Sequence, residues 1–174
     1  MKVRDRRVEG QPYRVAIFDE RPPCAVERAE ILAGGITGLE LTGASLKGLG
    51  RGGLDWVVGI PDLRYLEVSR SPTVPAVPSE VLERLEVVGW LGATSQRIST
   101  SALPRARVLA VGPAAKLEGS LAECVDLVGL TLTGFAEMDF GSLDGCERLE
   151  WLKVQGRGRL SVLIGGSHLN GFSA

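Results

Sequence analysis

Two stretches of the chain, "LAECVDLVGLTLTG" (121–134) and "LDGCERLEWLKVQG" (143–156), carry Leu, Cys, Leu, Leu, an apolar residue and Gly at matching places, each displaced by 22 residues. A recurring period restricts a chain to architectures in which equivalent units stack, because one short unit cannot bury its own apolar face. The pattern L-x-x-L-x-L, with Val or Ile allowed, recurs as "ITGLEL" (36–41), "LRYLEV" (63–68), "LERLEV" (82–87), a weaker "ARVLAV" (106–111), "LVGLTL" (127–132) and "LEWLKV" (149–154). Its central residues Leu39, Leu66, Leu85, Leu109, Leu130 and Leu152 are separated by 27, 19, 24, 21 and 22 positions.

Within each segment x-L-x-L alternates with period two, so its apolar side chains share one face of a short strand. Glycines just beyond, at Gly43, Gly89, Gly112, Gly134 and Gly156, predict turns that take the chain out of the sheet. Apolar residues then recur every third position, as in Leu121, Cys124 and Leu127, which suits one or two helical or 3₁₀ turns leading into the next strand.

From about Gly35 onward the six segments resemble the leucine-rich repeat family. The resemblance implies an α/β solenoid with a curved parallel sheet and short return segments, acting by partner recognition on its concave face. The position at which that family places Asn or Cys holds Ala44, Ser71, Trp90, Ala114, Phe135 and Arg157, so no asparagine ladder is expected. Cys124 and Cys146 match the family's cysteine-containing variant and read as small buried hydrophobes.

A stack of this kind needs covered ends. At the N-terminus, "YRVAIFDE" (13–20) predicts a strand, and "PPCAVERAEILAGG" (22–35), with prolines at its start and glycines at its end, predicts a helix. Residues 1–35 are therefore expected to form a strand-helix cap, and residues 36–174 about six to seven repeats. "LNGFSA" (169–174) aligns as a seventh strand, with Phe172 lying 20 residues after Leu152. An uncapped C-terminal edge invites self-association, or continuation in a longer chain. "SRSPTVPAVPS" (69–79), with three prolines, predicts an irregular return arm.

The formal net charge of −1 argues against a nucleic-acid partner, which calls for a strongly basic face. The charged start "MKVRDRRVEG" does not read as a secretory signal, and no apolar run spans a bilayer, so a cytoplasmic protein with no membrane partner is expected. Three cysteines, two at one repeat position, suit reduced thiols.

Catalytic motifs are scarce. His168 is the only histidine, "GLGRGG" (48–53) lacks the context of a phosphate loop, and Asp55, Asp62, Asp126, Asp139 and Asp144 show no pairing. No cofactor, metal or enzymatic activity is expected. Binding is favoured by geometry instead. The pattern stacks Glu40, Glu67, Glu86, Ala110, Thr131 and Lys153 in one outward column. Gly38, Tyr65, Arg84, Val108, Gly129 and Trp151 form a second. Thr42, Ser69, Val88, Gly112, Thr133 and Gln155 form a third. Three stacked glutamates repel, so reversing Glu67 and Glu86 is expected to cost no stability. The candidate binding residues are Glu40, Tyr65, Glu67, Arg84, Glu86, Trp151 and Lys153, since exposed aromatics among charges are common interface anchors. The expected function is a non-catalytic protein-protein interaction module, such as an intracellular immunity or inhibitor protein. The alternative is a repeat segment of a larger receptor, ligase or scaffold.

Overall fold

The computed structural model of the chain describes residues 1–47, 49, 53–71, 76–91, 97–112, 116–133, 137–142, 145–155, 159–163 and 171–173. The chain opens with β1 (Lys2–Val8) and β2 (Gln11–Phe18), followed by α1 (Ala25–Ala33), β3 (Gly38–Thr42) and α2 (Gly43–Lys47). A 3₁₀ turn at Asp55–Gly59 leads to β4 (Tyr65–Ser69), α3 (Ser79–Leu82), β5 (Val87–Leu91) and β6 (Arg97–Ser99). After a second 3₁₀ turn at Thr100–Ala102 come β7 (Val108–Val111) and β8 (Lys116–Glu118), then a third at Leu121–Glu123 and β9 (Gly129–Thr133). The remaining strands are β10 (Glu137–Ser142), β11 (Trp151–Gln155), β12 (Arg159–Leu163) and β13 (Gly171–Ser173).

The class is α/β. One nine-stranded sheet runs β1-β2-β3-β4-β5-β7-β9-β11-β13, nearly in chain order. Every pairing in it from β2 onward is parallel, and only β1 is antiparallel to its neighbour. The strands left out of it form two small parallel pairs, β6 with β8 and β10 with β12. Phe172 pairs with Leu152, so the seventh strand lies where the spacing predicts.

The main core lies on the face of the sheet carrying Leu39, Leu66, Val88, Leu109, Leu130 and Leu152, packed against Leu54, Val57, Leu63, Leu85, Leu103, Leu121, Cys124 and Leu127 of the return segments. Cys124 is buried and Cys146 half-buried, both as free thiols. Ala16, Phe18 and Ile31 join this same core, so β2 and α1 cover its first layer. Glu27 holds the start of α1: it accepts from two Arg21 guanidinium nitrogens at 2.6 and 2.8 Å, from the Met1 ammonium at 2.8 Å and from the Cys24 amide at 3.0 Å. Those contacts keep its carboxyl far below the usual carboxylate range.

The third strand departs from the pattern. "LERLEV" is not a strand: Leu82 ends α3, and the strand is β5, five residues further on. The matching unit is Leu85, Val88 and Trp90, with Leu66 paired to Val88 and Val68 to Trp90. The β-branched pair Val87-Val88 prefers the pleated sheet, while leucines fit equally well in the preceding helical turn. Trp90 is fully buried in the core rather than at a turn, and Gly89 lies within the strand. With this register the central residues Leu39, Leu66, Val88, Leu109, Leu130, Leu152 and Phe172 stand 27, 22, 21, 21, 22 and 20 positions apart. Gly43 opens α2 instead of forming a plain turn. Gly134, Gly156, Ala114, Phe135, Arg157, Asp144, His168 and most of "GLGRGG" lie outside the described residues. Among the described residues, no helix is long and apolar enough to cross a membrane.

Candidate functional site

On the sheet face opposite the main core, side chains from successive strands align. Its first column reads Val15, Gly38, Tyr65, Val87, Val108, Gly129 and Trp151. The second reads Glu40, Glu67, Gly89, Ala110, Thr131 and Lys153. Two expected members are therefore misplaced. Arg84 lies off this face, donating to the carbonyls of Val57 and Val58 at 3.2 and 3.1 Å, because it precedes β5 on the return arm. Glu86 sits just ahead of β5 at the rim of the sheet and does not stack on Glu67, whose partner is Gly89.

Glycines seat both aromatics of the first column. A Cβ on Gly38 would stand 3.0 Å from that of Tyr65, and one on Gly129 would stand 2.0 Å from Cζ2 of Trp151. Each ring thus leans over the preceding strand, which only a missing side chain permits.

The N-terminal hairpin covers this part of the face. Its two-residue turn, Glu9 and Gly10, has φ of 48° and 75°. Positive φ at both central residues is the turn whose twist matches paired strands. Tyr13, Val15 and Ile17 of β2 form a second apolar cluster with Tyr65, Val87 and Val108, against which Val8 and Trp151 pack. The indole N–H of Trp151 donates to Glu9 Oε1 at 2.8 Å, tying the hairpin tip to a strand 142 residues away. Tyr65, expected to be an exposed anchor, is consequently only 5% exposed.

Polar contacts complete the seal. Tyr13 Oη donates to Glu86 Oε2 at 2.7 Å, and an Arg64 guanidinium nitrogen lies 3.5 Å from Oε1 of the same carboxylate. The Tyr13 and Tyr65 rings lie 5.7 Å apart, with the Arg64 guanidinium 5.8 Å from the Tyr13 ring centre. Tyr65 Oη lies 2.8 Å from Glu67 Oε2 and 3.2 Å from Glu40 Oε1, so one proton is shared between two carboxylates. Arg6 neutralises Glu40 at 2.7 Å. Burial, and then the neighbouring carboxylates, raise both phenols well above their usual range. The expected set lacks Arg6, Glu9, Tyr13 and Arg64; Glu9-Gly10 ahead of the strand-like "YRVAIFDE" signals a turn, while the partners of all four lie far along the chain.

What the hairpin leaves accessible is a shallow polar tract. Glu67, Ala110, Thr131, Ser69, Leu91 and Thr133 are partly exposed, and Lys153 and Gln155 are exposed. The tract holds hydroxyls, an amide and one charge of each sign. Elsewhere Asp126 is paired with Arg148 at 2.5 Å, and no group of His, Cys, Asp and Glu among the described residues is placed to hold a metal ion. The chemistry available on the tract is hydrogen bonding and ion pairing. Compared with known proteins, the chain matches no family model, no curated protein and no solved structure.

Proposed function

We propose that the chain is a short leucine-rich-repeat solenoid whose function is non-catalytic binding of a protein partner on the accessible tract of its sheet face, as a small intracellular inhibitor or immunity protein would do. The observation that carries this reading is the in-register column of Glu67, Gly89, Ala110, Thr131 and Lys153. Small residues occupy its middle and opposite charges its two ends, which suits a flat protein surface better than a small molecule. The near-even recurrence of strands in chain order supports the repeat assignment.

The test is affinity capture from the source cells, with retained proteins identified by mass spectrometry. Ala110→Arg with Thr131→Arg fills the tract with bulk and charge; Glu83→Arg, on an exposed return position, is the control. A partner held by the parent and the control but lost by the folded double variant supports the reading. Capture of the same proteins by all three chains refutes it.

A further inference from the structure

The main sheet has an open edge at β1, away from the accessible tract. β1 is the terminal strand, paired on one side only, and Lys2 through Arg7 are all exposed. Its sequence "KVRDRRV" sets four cations against one acid, in a chain whose net charge is −1. Arg6 is engaged by Glu40 and Lys2 lies 3.4 Å from Asp19, but Arg4, Arg7 and the neighbouring Arg14 have no carboxylate partner among the described residues. Arg6, Arg7 and Arg14 line one open cleft beside Thr37 and Asp5.

Backbone phase adds a second constraint. A two-residue turn closes on a hydrogen-bonded pair, here Val8 with Gln11, and such pairs alternate along an antiparallel ladder. The ladder therefore engages Val8, Arg6, Arg4 and Lys2. The N–H and C=O groups of Arg7, Asp5 and Val3 point away from β2, giving three donors and three acceptors along the edge.

We infer that this edge receives an extended acidic segment of a partner protein, added to the sheet as a tenth strand. Like charges set opposite one another are destabilising, so β1 repels a second β1, and the cations without a carboxylate partner among the described residues attract glutamates opposite Arg4 and Arg7. Main-chain pairing supplies the affinity and the arginines select the charge.

The experiment uses the full chain and a fluorescent ten-residue peptide of alternating Glu and Thr, with a Lys and Thr peptide for comparison, read by anisotropy. The acidic peptide is expected to bind and the basic one not to. Arg4→Glu with Arg7→Glu should weaken binding about tenfold at unchanged thermal stability. Two substitutions at Asp5 separate strand addition from simple attraction. Asp5→Thr removes the acid and keeps the outward N–H, so binding tightens. Asp5→Pro removes the acid and that N–H together, which an edge tolerates, so binding weakens despite the added positive charge. Equal or tighter binding by Asp5→Pro relative to Asp5→Thr overturns the inference, as does an equally charged oligonucleotide competing as well as the acidic peptide. A dimer in sedimentation that Arg4→Glu abolishes also overturns it, since the edge would then be filled by a second copy.

Discussion

Raising the pH through the tyrosine range perturbs the sealed face selectively, because both tyrosines of the chain, Tyr13 and Tyr65, lie in it. Each hydroxyl donates to a carboxylate, and each is raised above its ordinary value of 10.0. Below that value both states keep the proton and the stabilisation is complete. Above it the unfolded chain ionises while the native chain does not, so stability falls until the native hydroxyls ionise in turn. The slope is about 1.36 kcal/mol per pH unit for each group. One unit above the unfolded value, the two together remove about 2.8 kcal/mol. For a chain of 174 residues, that lowers Tm by about 6–11 °C. The assay follows Tm against pH for the parent and for Tyr13→Phe with Tyr65→Phe, alongside the absorbance of tyrosinate. Burial also pushes the Cys124 thiol up to about 11 and raises Cys146, which adds a slope common to both chains. The tyrosine effect is the difference between them. Tyrosinate appearing with a midpoint near 10 in a chain that keeps its native circular dichroism would refute the sealed network, as would parallel slopes.

Gly129→Ala drives the Trp151 indole off its seat, since the new Cβ would lie 2.0 Å from the ring. A loss of about 1–3 kcal/mol is expected, with tryptophan emission becoming more accessible to a collisional quencher; unchanged quenching means that the indole does not lie there. Glu86→Lys should cost about 1.5–3 kcal/mol in chemical denaturation, by removing the acceptor of Tyr13 and facing Arg64 with a like charge. Unchanged or raised stability would mean that Glu86 stacks on Glu67 after all, as the leucine spacing predicts. Glu27→Gln should lower Tm at neutral pH through its Arg21 and Cys24 contacts. Because the folded-state pKa is depressed, that contribution is present above the unfolded value of 4.5 and disappears as pH falls through the folded one. The Tm difference between variant and parent should therefore shrink in strong acid, and a constant difference contradicts the assignment.

Leucine spacing located β3, β4, β7, β9 and β11, and Phe172 anticipated β13, because alternation with a buried face leaves a clear period. It misplaced β5 because Leu82 and Leu85 satisfy the same pattern from a helical turn and its exit, and the valines that decide the matter score equally as apolar. One wrong assignment moved Arg84 and Glu86 onto the face and hid the evenness of the later intervals. The hairpin leaves no such period in the sequence. "KVRDRRV" has no apolar face to bury, and its strand state rests on pairing with β2 across the Glu9-Gly10 turn. Of the candidate site, Glu40, Tyr65, Glu67, Trp151 and Lys153 lie in the outward columns, while the roles of Arg6, Glu9, Tyr13 and Arg64 depend on contacts no local pattern encodes.

By itself, the sequence determined the α/β class, the order of most strands and which side chains share a face, since those properties follow from short-range periodicity and from the need of each unit to be covered. The tertiary structure alone decided which part of the outward face is accessible. Tyr13 against Tyr65 and Glu9 against Trp151 are pairings across 52 and 142 positions of chain. They form because parallel stacking brings distant strands to one surface, over which the twisted hairpin lies, and no repeat of 22 residues carries that information.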